Sequence, residues 1–274
     1  MIEQIEILNK LKSNFKQLDF KYIDDYHLKD INSNLFYEPY EGIDERANSI
    51  RSSAAMIYNT IGPDSITLDN IKYTKIEYER KFPVLKNRPA AQLDVSMLNE
   101  NKTELVLVEA KCLEWMDKPK PLKDAYLVTE NYLLKNSEVV IFFKETFKRL
   151  LSFPEKRAAD DNTKILPFYQ KYDAIQMNIH ILGIYNFCAR KEENIPKRIR
   201  LLNIVWDYDE AEEYQIEERE GKEYVAYANV TFRNLFKHLG VDFSVEYVRY
   251  SDFLNRVDWT NDVEHRNYLK RYEV

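Results

Sequence analysis

The chain has 274 residues, of which 45% are hydrophobic and 31% are charged, and its formal net charge is -6. This composition predicts an ordinary soluble globular protein, and the five glycines argue against a Gly-rich loop enzyme and against long flexible linkers. No apolar run approaches the roughly 20 residues of a membrane helix, so we expect no membrane association. The two cysteines, Cys112 and Cys188, indicate a reducing cytoplasmic setting rather than a disulfide framework or a zinc site.

Two helices are predicted before the first strand. Apolar residues recur at helical spacing over residues 2–18. A second helix is predicted over 45–61, where Gly62 and Pro63 stop it. The apolar stripe of this second helix faces the core, so its opposite face carries small polar side chains and Glu45.

Three strands follow and predict the antiparallel part of a sheet. Residues 71–82 alternate like a strand and end at Pro83. Residues 90–98 and 103–113 flank the polar turn "NENK", a pattern that predicts an antiparallel hairpin. The strand at 103–113 is apolar on both faces, which is typical of a central strand covered on both sides.

The second half of the chain alternates between helical and strand patterns. The predicted elements are a helical insertion at about 120–165, a helix at 168–190, a buried strand at 199–208, a helix near 231–239 and a strand at 243–250. The whole order predicts a single α/β domain over residues 1–274, with helices flanking a mixed central sheet.

Charge is distributed unevenly along the chain. The acidic segment 207–223 holds nine acids and two bases, so the remainder is nearly neutral. This segment is either a regulatory lid or DNA mimic, or a solvated helix or loop. Each of two basic clusters either contacts nucleic-acid phosphates or lies on a solvent-exposed helix face. They are Lys144, Lys148, Arg149, Lys156 and Arg157, then Arg190, Lys191, Lys197, Arg198 and Arg200.

Charged residues also stand at the end of the apolar strand "LVLVEAK". Side chains alternate along a strand, so Glu109 and Lys111 point to the same face. If the hairpin turn is centred between Asn101 and Lys102, Asp94 lies opposite Glu109 and shares that face. Two neighbouring buried carboxylates repel each other, and Mg²⁺ would remove that repulsion. The alternative is a structural ion pair between Glu109 and Lys111.

The hairpin "QLDVSMLNENKTELVLVEAKC" resembles the PD-(D/E)xK nuclease superfamily, the restriction-endonuclease-like fold. The shared order is an acid on the second strand and E-x-K at the end of the third. Members often carry a glutamate on the helix before the sheet, matched here by Glu45. Many also carry a glutamine on the helix after the E-x-K strand, matched by Gln176. These segments are most similar to a bacterial group assigned as restriction endonucleases.

The resemblance covers residues 45–206 and leaves 207–274 as a C-terminal extension. It implies an α-β-β-β-α-β core with a mixed central sheet flanked by helices. The chain departs from the pattern in two places. Pro89 stands five residues before Asp94 rather than directly before it, and the insertion at 120–165 lengthens the interval between the E-x-K strand and the glutamine helix.

The resemblance also implies a role for each matched residue. Asp94 and Glu109 would ligate Mg²⁺, for which Mn²⁺ can substitute. Lys111 would position or activate the attacking water. Glu45 would assist a metal or hold the lysine, and Gln176 would orient the site or touch substrate. The implied function is a Mg²⁺-dependent DNA endonuclease of the cytoplasm, acting as a homodimer if it cuts both strands.

Other interpretations stay open at this point. Glu45 can be a helix N-terminal acid favoured by the macrodipole, and Gln176 can lie on a solvated helix face. His180 is either a metal ligand or a hydrogen-bonded structural residue. The alternative functions are a DNA repair or recombination nuclease, and a non-catalytic DNA- or protein-binding module that retains the fold.

Overall fold

The computed structural model describes residues 53–62, 64–151, 157–158, 161–165, 167–190, 195–260 and 262–273, with residues 6, 7, 9, 10 and 13 before them. Those five N-terminal residues are helical. Glu45 lies outside the described residues, as do residues 46–52 and most of the helix predicted over 2–18. The later turns of the second predicted helix, Ser53–Ile61, are helical.

Strands and helices follow one another along the described chain. The strands are β1 (Ile66–Leu68), β2 (Ile71–Phe82), β3 (Ala91–Asn99), β4 (Glu104–Lys111), β5 (Leu122–Lys123), β6 (Arg157–Ala158), β7 (Asp161–Ile165), β8 (Arg198–Val205) and β9 (Asp242–Arg249). The helices are α1 (Ser53–Ile61), α2 (Ser137–Arg149), α3 (Ala174–Ala189), α4 (Glu212–Lys237), α5 (Tyr250–Arg256) and α6 (Val263–Tyr268). Short 3-10 helices span Glu114–Met116, Asp124–Leu127, Thr129–Asn131 and Leu269–Tyr272.

A mixed sheet of six strands forms the centre of the fold, in the order β1-β2-β3-β4-β8-β9. Strands β1 to β4 pair antiparallel, whereas β4, β8 and β9 run parallel to one another. β4 lies between β3 and β8 and is buried at every residue except its last, as its apolar faces predict. The α/β class and the mixed sheet with flanking helices are confirmed.

The register of the hairpin is the one that the sequence favours. β3 and β4 pair from Leu98↔Leu105 to Val95↔Val108. The turn is closed by the Lys102 amide, which donates to the Asn99 carbonyl at 2.9 Å. Extending the same pairing by one residue places Asp94 opposite Glu109, because antiparallel partners step together along both strands.

Two hydrophobic layers cover the sheet. On one face, Val106 and Val108 of β4 belong to a cluster that contains α1 residues such as Ile57. On the other face, Leu105 and Leu107 belong to a cluster that contains residues of α2, α3 and α4. Glu109 has the same strand parity as these two leucines, so its side chain points toward the second layer.

The insertion at about 120–165 differs from the helical expectation. It contains one long helix, α2, but also the 3-stranded sheet β5-β7-β6. The strands are two, two and five residues long, too short for a sequence period to develop. The helical expectation for 120–165 is therefore wrong for the parts that form this second sheet.

The acidic segment 207–223 is also not a simple solvated element. Most of it forms the start of α4, whose first turn carries Glu212 and Glu213, as the helix dipole favours. Glu217 and Glu220 of the same helix are buried. The helix predicted near 231–239 is the end of α4.

Among the residues that the structure describes, none of the helices combines the length and the hydrophobicity of a membrane-spanning segment.

Candidate active site

Glu109, Lys111 and Gln176 meet at the end of β4. The Lys111 Nζ donates to Glu109 Oε1 at 2.7 Å and to Gln176 Oε1 at 2.8 Å. The Gln176 Nε2 donates to the same Glu109 oxygen at 2.7 Å. The three side chains therefore form a closed ring of hydrogen bonds, although Gln176 is 65 residues away from Lys111 along the chain.

The first turn of α3 places Gln176 against the strand. Asp173 is the N-cap of this helix and accepts a hydrogen bond from the Gln176 amide at 2.9 Å. Farther along α3, Gly183 allows the helix to approach β2 closely. A Cβ atom at this glycine would lie 2.8 Å from the Cβ of Phe82. Side chains essentially never approach so closely, so this glycine is needed for the present position of the helix.

His180 is a fourth member of the site. It lies one helical turn after Gln176 and therefore on the same face of α3. Its Nε2 is 3.1 Å from Glu109 Oε2, and its side chain is only 2% exposed. From the sequence alone, this histidine is either a hydrogen-bonded structural residue or a metal ligand. The structure instead places it against the carboxylate oxygen that Lys111 does not contact.

Asp94 contacts β4 from the neighbouring strand β3. Its Oδ2 accepts a hydrogen bond from the Ala110 amide at 2.6 Å. This bond fixes the carboxylate beside β4 at the residue between Glu109 and Lys111. Every sequence-predicted site residue that the structure describes thus lies at this one end of β4.

Glu79 is a neighbour of Asp94 that the sequence did not single out. It lies within β2, yet its φ is 56°, a left-handed conformation that is rare outside glycine. β2 pairs with β3 on either side of this residue, at Tyr78↔Val95 and Arg80↔Leu93. Leu93 and Val95 consequently pack in opposite hydrophobic layers, and Asp94 lies at the point where the strand changes faces.

The charges of the site are strongly coupled. Burial, followed by the nearby carboxylates of Glu109 and Glu79, raises the pKa of Asp94 well above its usual range. Burial also opposes ionisation of Glu109, but Lys111 and His180 outweigh it and lower the pKa of Glu109 to about 2. Burial likewise disfavours the charged form of Lys111, yet Glu109 keeps the pKa of that ammonium above its ordinary value. Glu109 and Lys111 are therefore an ion pair at neutral pH.

Asp94 and Glu109 have the chemistry of a Mg²⁺ site. No group of three or more His, Cys, Asp or Glu side chains within the described ranges is arranged to hold a metal. Mg²⁺ does not require one, because it keeps several waters and binds through one or two carboxylates plus substrate phosphate oxygens. The raised pKa of Asp94 reflects its burial first and then the neighbouring carboxylates, and a bound divalent cation would favour the charged form against both. The residues present therefore fit this ion.

At least one described member of each predicted basic cluster is paired with acidic side chains. Arg200 is buried, and its guanidinium contacts Asp69, Glu104 and Glu246 at 2.8, 3.4 and 2.8 Å. Its charge is therefore used within the fold. Lys148 is exposed but pairs with Glu145 at 2.8 Å. Lys156 and Lys191 lie outside the described residues.

No protein-family model, curated protein or solved structure matches this chain. Its function must therefore be inferred from the chemistry of the site.

Proposed function

We propose that the protein is a Mg²⁺-dependent DNA endonuclease of the restriction-endonuclease-like class. The observation that carries the proposal is the Lys111 ammonium bound to both Glu109 and Gln176, with Asp94 fixed beside the same strand. The succession α1, β2, β3, β4, α3 and β8 supports it, because it follows the α-β-β-β-α-β order of that class. Related parts of the proposal are a cytoplasmic location and a homodimer for double-strand cleavage.

The reaction is hydrolysis of a phosphodiester by in-line attack of water. The new P–O bond forms as the bond to the leaving oxygen breaks. The attacking water releases a proton to the solvent, a solvent water protonates the leaving oxygen, and no covalent enzyme intermediate forms. Asp94 and Glu109 would hold Mg²⁺, which when bound acidifies water and offsets charge on the phosphate. Lys111 is a cation with a raised pKa, so it acts as a hydrogen-bond donor to the water or the phosphate rather than as a base. Gln176 fixes the direction of that ammonium.

Plasmid cleavage with Mg²⁺ tests the proposal. The wild type is compared with Asp94→Asn and Lys111→Met, which keep approximate size and remove the charge. Each variant is expected to lose about 100-fold or more in rate, the usual effect of removing one transition-state contact. Glu145→Gln, which alters an exposed helix residue far from β4 in sequence, is the control and is expected to match the wild type. Equal rates for all four proteins would contradict the proposal.

Substrate form and metal binding separate the alternatives. A protein that cleaves branched DNA or linear DNA with free ends faster than closed circular DNA would be a repair or recombination nuclease. Calorimetry that detects no Mg²⁺ or Mn²⁺ binding by the wild type would instead indicate a non-catalytic module.

A further inference from the structure

A cleft opens beside the candidate active site. Its volume is ≈ 130 Å³, and its lining includes both Lys111 and Gln176. Three more lysines line the same cleft. Lys118 and Lys120 come from segment 117–121, which follows β4, and Lys171 comes from the loop before α3. The cleft is thus the space through which a ligand can reach the Lys111 ammonium.

These three lysines line the cleft without an ion pair to any other described residue. Lys118 and Lys120 are exposed. In the part of the chain that the structure describes, no carboxylate oxygen lies within 4.0 Å of the ammonium groups of Lys118, Lys120 or Lys171. The Lys171 ammonium donates to the carbonyl of Met116, at 3.5 Å. Lys111, in contrast, is paired with Glu109.

The acids of the cleft are directed at the protein instead. They are Glu114, Asp117, Asp173 and Glu217. Glu114 accepts the Cys112 amide at 2.5 Å, and Asp173 accepts the Gln176 amide as a helix cap. Glu217 accepts the Tyr247 hydroxyl. Asp117 also has a partner within the fold. Each of these acids thus has a partner within the fold, whereas the side chains of Lys118 and Lys120 are exposed.

The lysine segment is held in a fixed position relative to Lys111. Trp115 is buried between them, and its Nε1 donates to the carbonyls of Cys112 and Trp206 at 3.1 Å each. Pro119 and Pro121 flank Lys120 and restrict the backbone at and before each proline. Less backbone entropy is therefore lost when these lysines bind a ligand.

We propose that Lys118, Lys120 and Lys171 bind the backbone phosphates of DNA next to the phosphate attacked at Lys111. The inference rests on the proposed function for the identity of its ligand. The lysines act as positioning residues, because they hold the strand and do not touch the reacting atoms. Each lysine that neutralises a duplex phosphate releases condensed counterions, so its contribution to binding depends on salt.

The test is duplex DNA binding by the full chain without divalent metal, measured from low to moderate salt. The variant Lys118→Ala/Lys120→Ala is compared with the wild type and with Lys72→Ala/Lys237→Ala. The control pair removes the same charge from exposed lysines near the opposite end of the sheet. The slope of log Kd against log salt is expected to fall by about 0.9 for each cleft lysine removed, and to stay unchanged in the control. Lys120→Ala alone is expected to give half the effect of the double variant.

Activity gives a second, independent measurement. If the wild type cleaves DNA, the double variant is expected to raise KM and to keep kcat within a few-fold at saturating DNA. If the wild type binds DNA without cleaving it, a reduced slope in the double variant alone still supports the inference, while the proposed function fails. Equal slopes in the cleft and control variants would overturn it. A second outcome would also overturn it. In that outcome, inorganic phosphate stabilises the wild type but not the double variant, and both proteins bind DNA equally. The cleft would then be a site for a free phosphate compound.

Discussion

Replacing Glu109 by glutamine removes the negative charge that holds the site together. The folded protein lowers the pKa of this carboxyl from 4.5 to about 2. At about 1.4 kcal/mol for each tenfold change in the protonation equilibrium, that difference corresponds to roughly 3 kcal/mol of stability at neutral pH. The same interaction seen from Lys111 is the loss of the counter-charge of a partly buried ammonium, so it is not counted a second time. We therefore expect Glu109→Gln to lower the free energy of unfolding by roughly 3 kcal/mol at pH 7.

The pH dependence gives the sign of the effect. A carboxyl with a depressed pKa stabilises the fold above its unfolded value, and this contribution is lost as the pH falls from 4.5 through about 2. Urea unfolding of the wild type and of Glu109→Gln should therefore differ most above pH 5 and converge toward pH 2. Glu145→Gln, which breaks an exposed pair with Lys148, should show no measurable change. A loss below about 1 kcal/mol at pH 7 in Glu109→Gln would refute the reasoning.

Three further changes test the surroundings of the site. Because the pKa of Asp94 is raised, ionisation of this carboxyl destabilises the metal-free fold as the pH rises. Asp94→Asn should therefore have a melting temperature no lower than that of the wild type at pH 7. The variant should also lose any rise in melting temperature caused by Mg²⁺. Burial raises the pKa of Glu217 to about 8, so stability present below pH 4.5 is lost as the pH rises through 8. Glu217→Gln should be more stable than the wild type at pH 9, by up to about 5 kcal/mol in urea unfolding, and similar at pH 4.5. Gly183→Ala should lose about 1–3 kcal/mol in the same assay, because the added methyl group meets Phe82; an unchanged stability would show that α3 can move away from β2.

The sheet and the hairpin were readable from the sequence because their signals are local. The alternation over 71–82 matches β2 at both ends. The polar turn and the apolar strand that follows it predicted the pairing that places Asp94 opposite Glu109. Gln176 was reached only through the resemblance, since its contact with Lys111 spans 65 residues.

The other members of the site depend on tertiary packing. His180 reaches Glu109 only because α3 docks closely against the sheet at Gly183. Glu79 lies near Asp94 because its own backbone is left-handed within β2. Glycine usually marks such a conformation in a sequence, and this position is not a glycine.

The acidic run was misleading for a similar reason. Glu220 accepts the backbone amides of Gln170, Lys171 and Tyr172 at 2.8–3.1 Å. A distant loop thus supplies the partners that allow this acid to be buried, and composition alone cannot reveal such a loop.

The most direct test of the central claim is a crystal structure of the protein soaked in Mn²⁺. We expect an anomalous peak between Asp94 and Glu109, at about 2.1 Å from a carboxylate oxygen of each residue. Glu109 would keep Lys111 and Gln176 beside it. The account would be contradicted if a fully soaked crystal showed no peak between these two carboxylates, whether Mn²⁺ binds elsewhere or not at all.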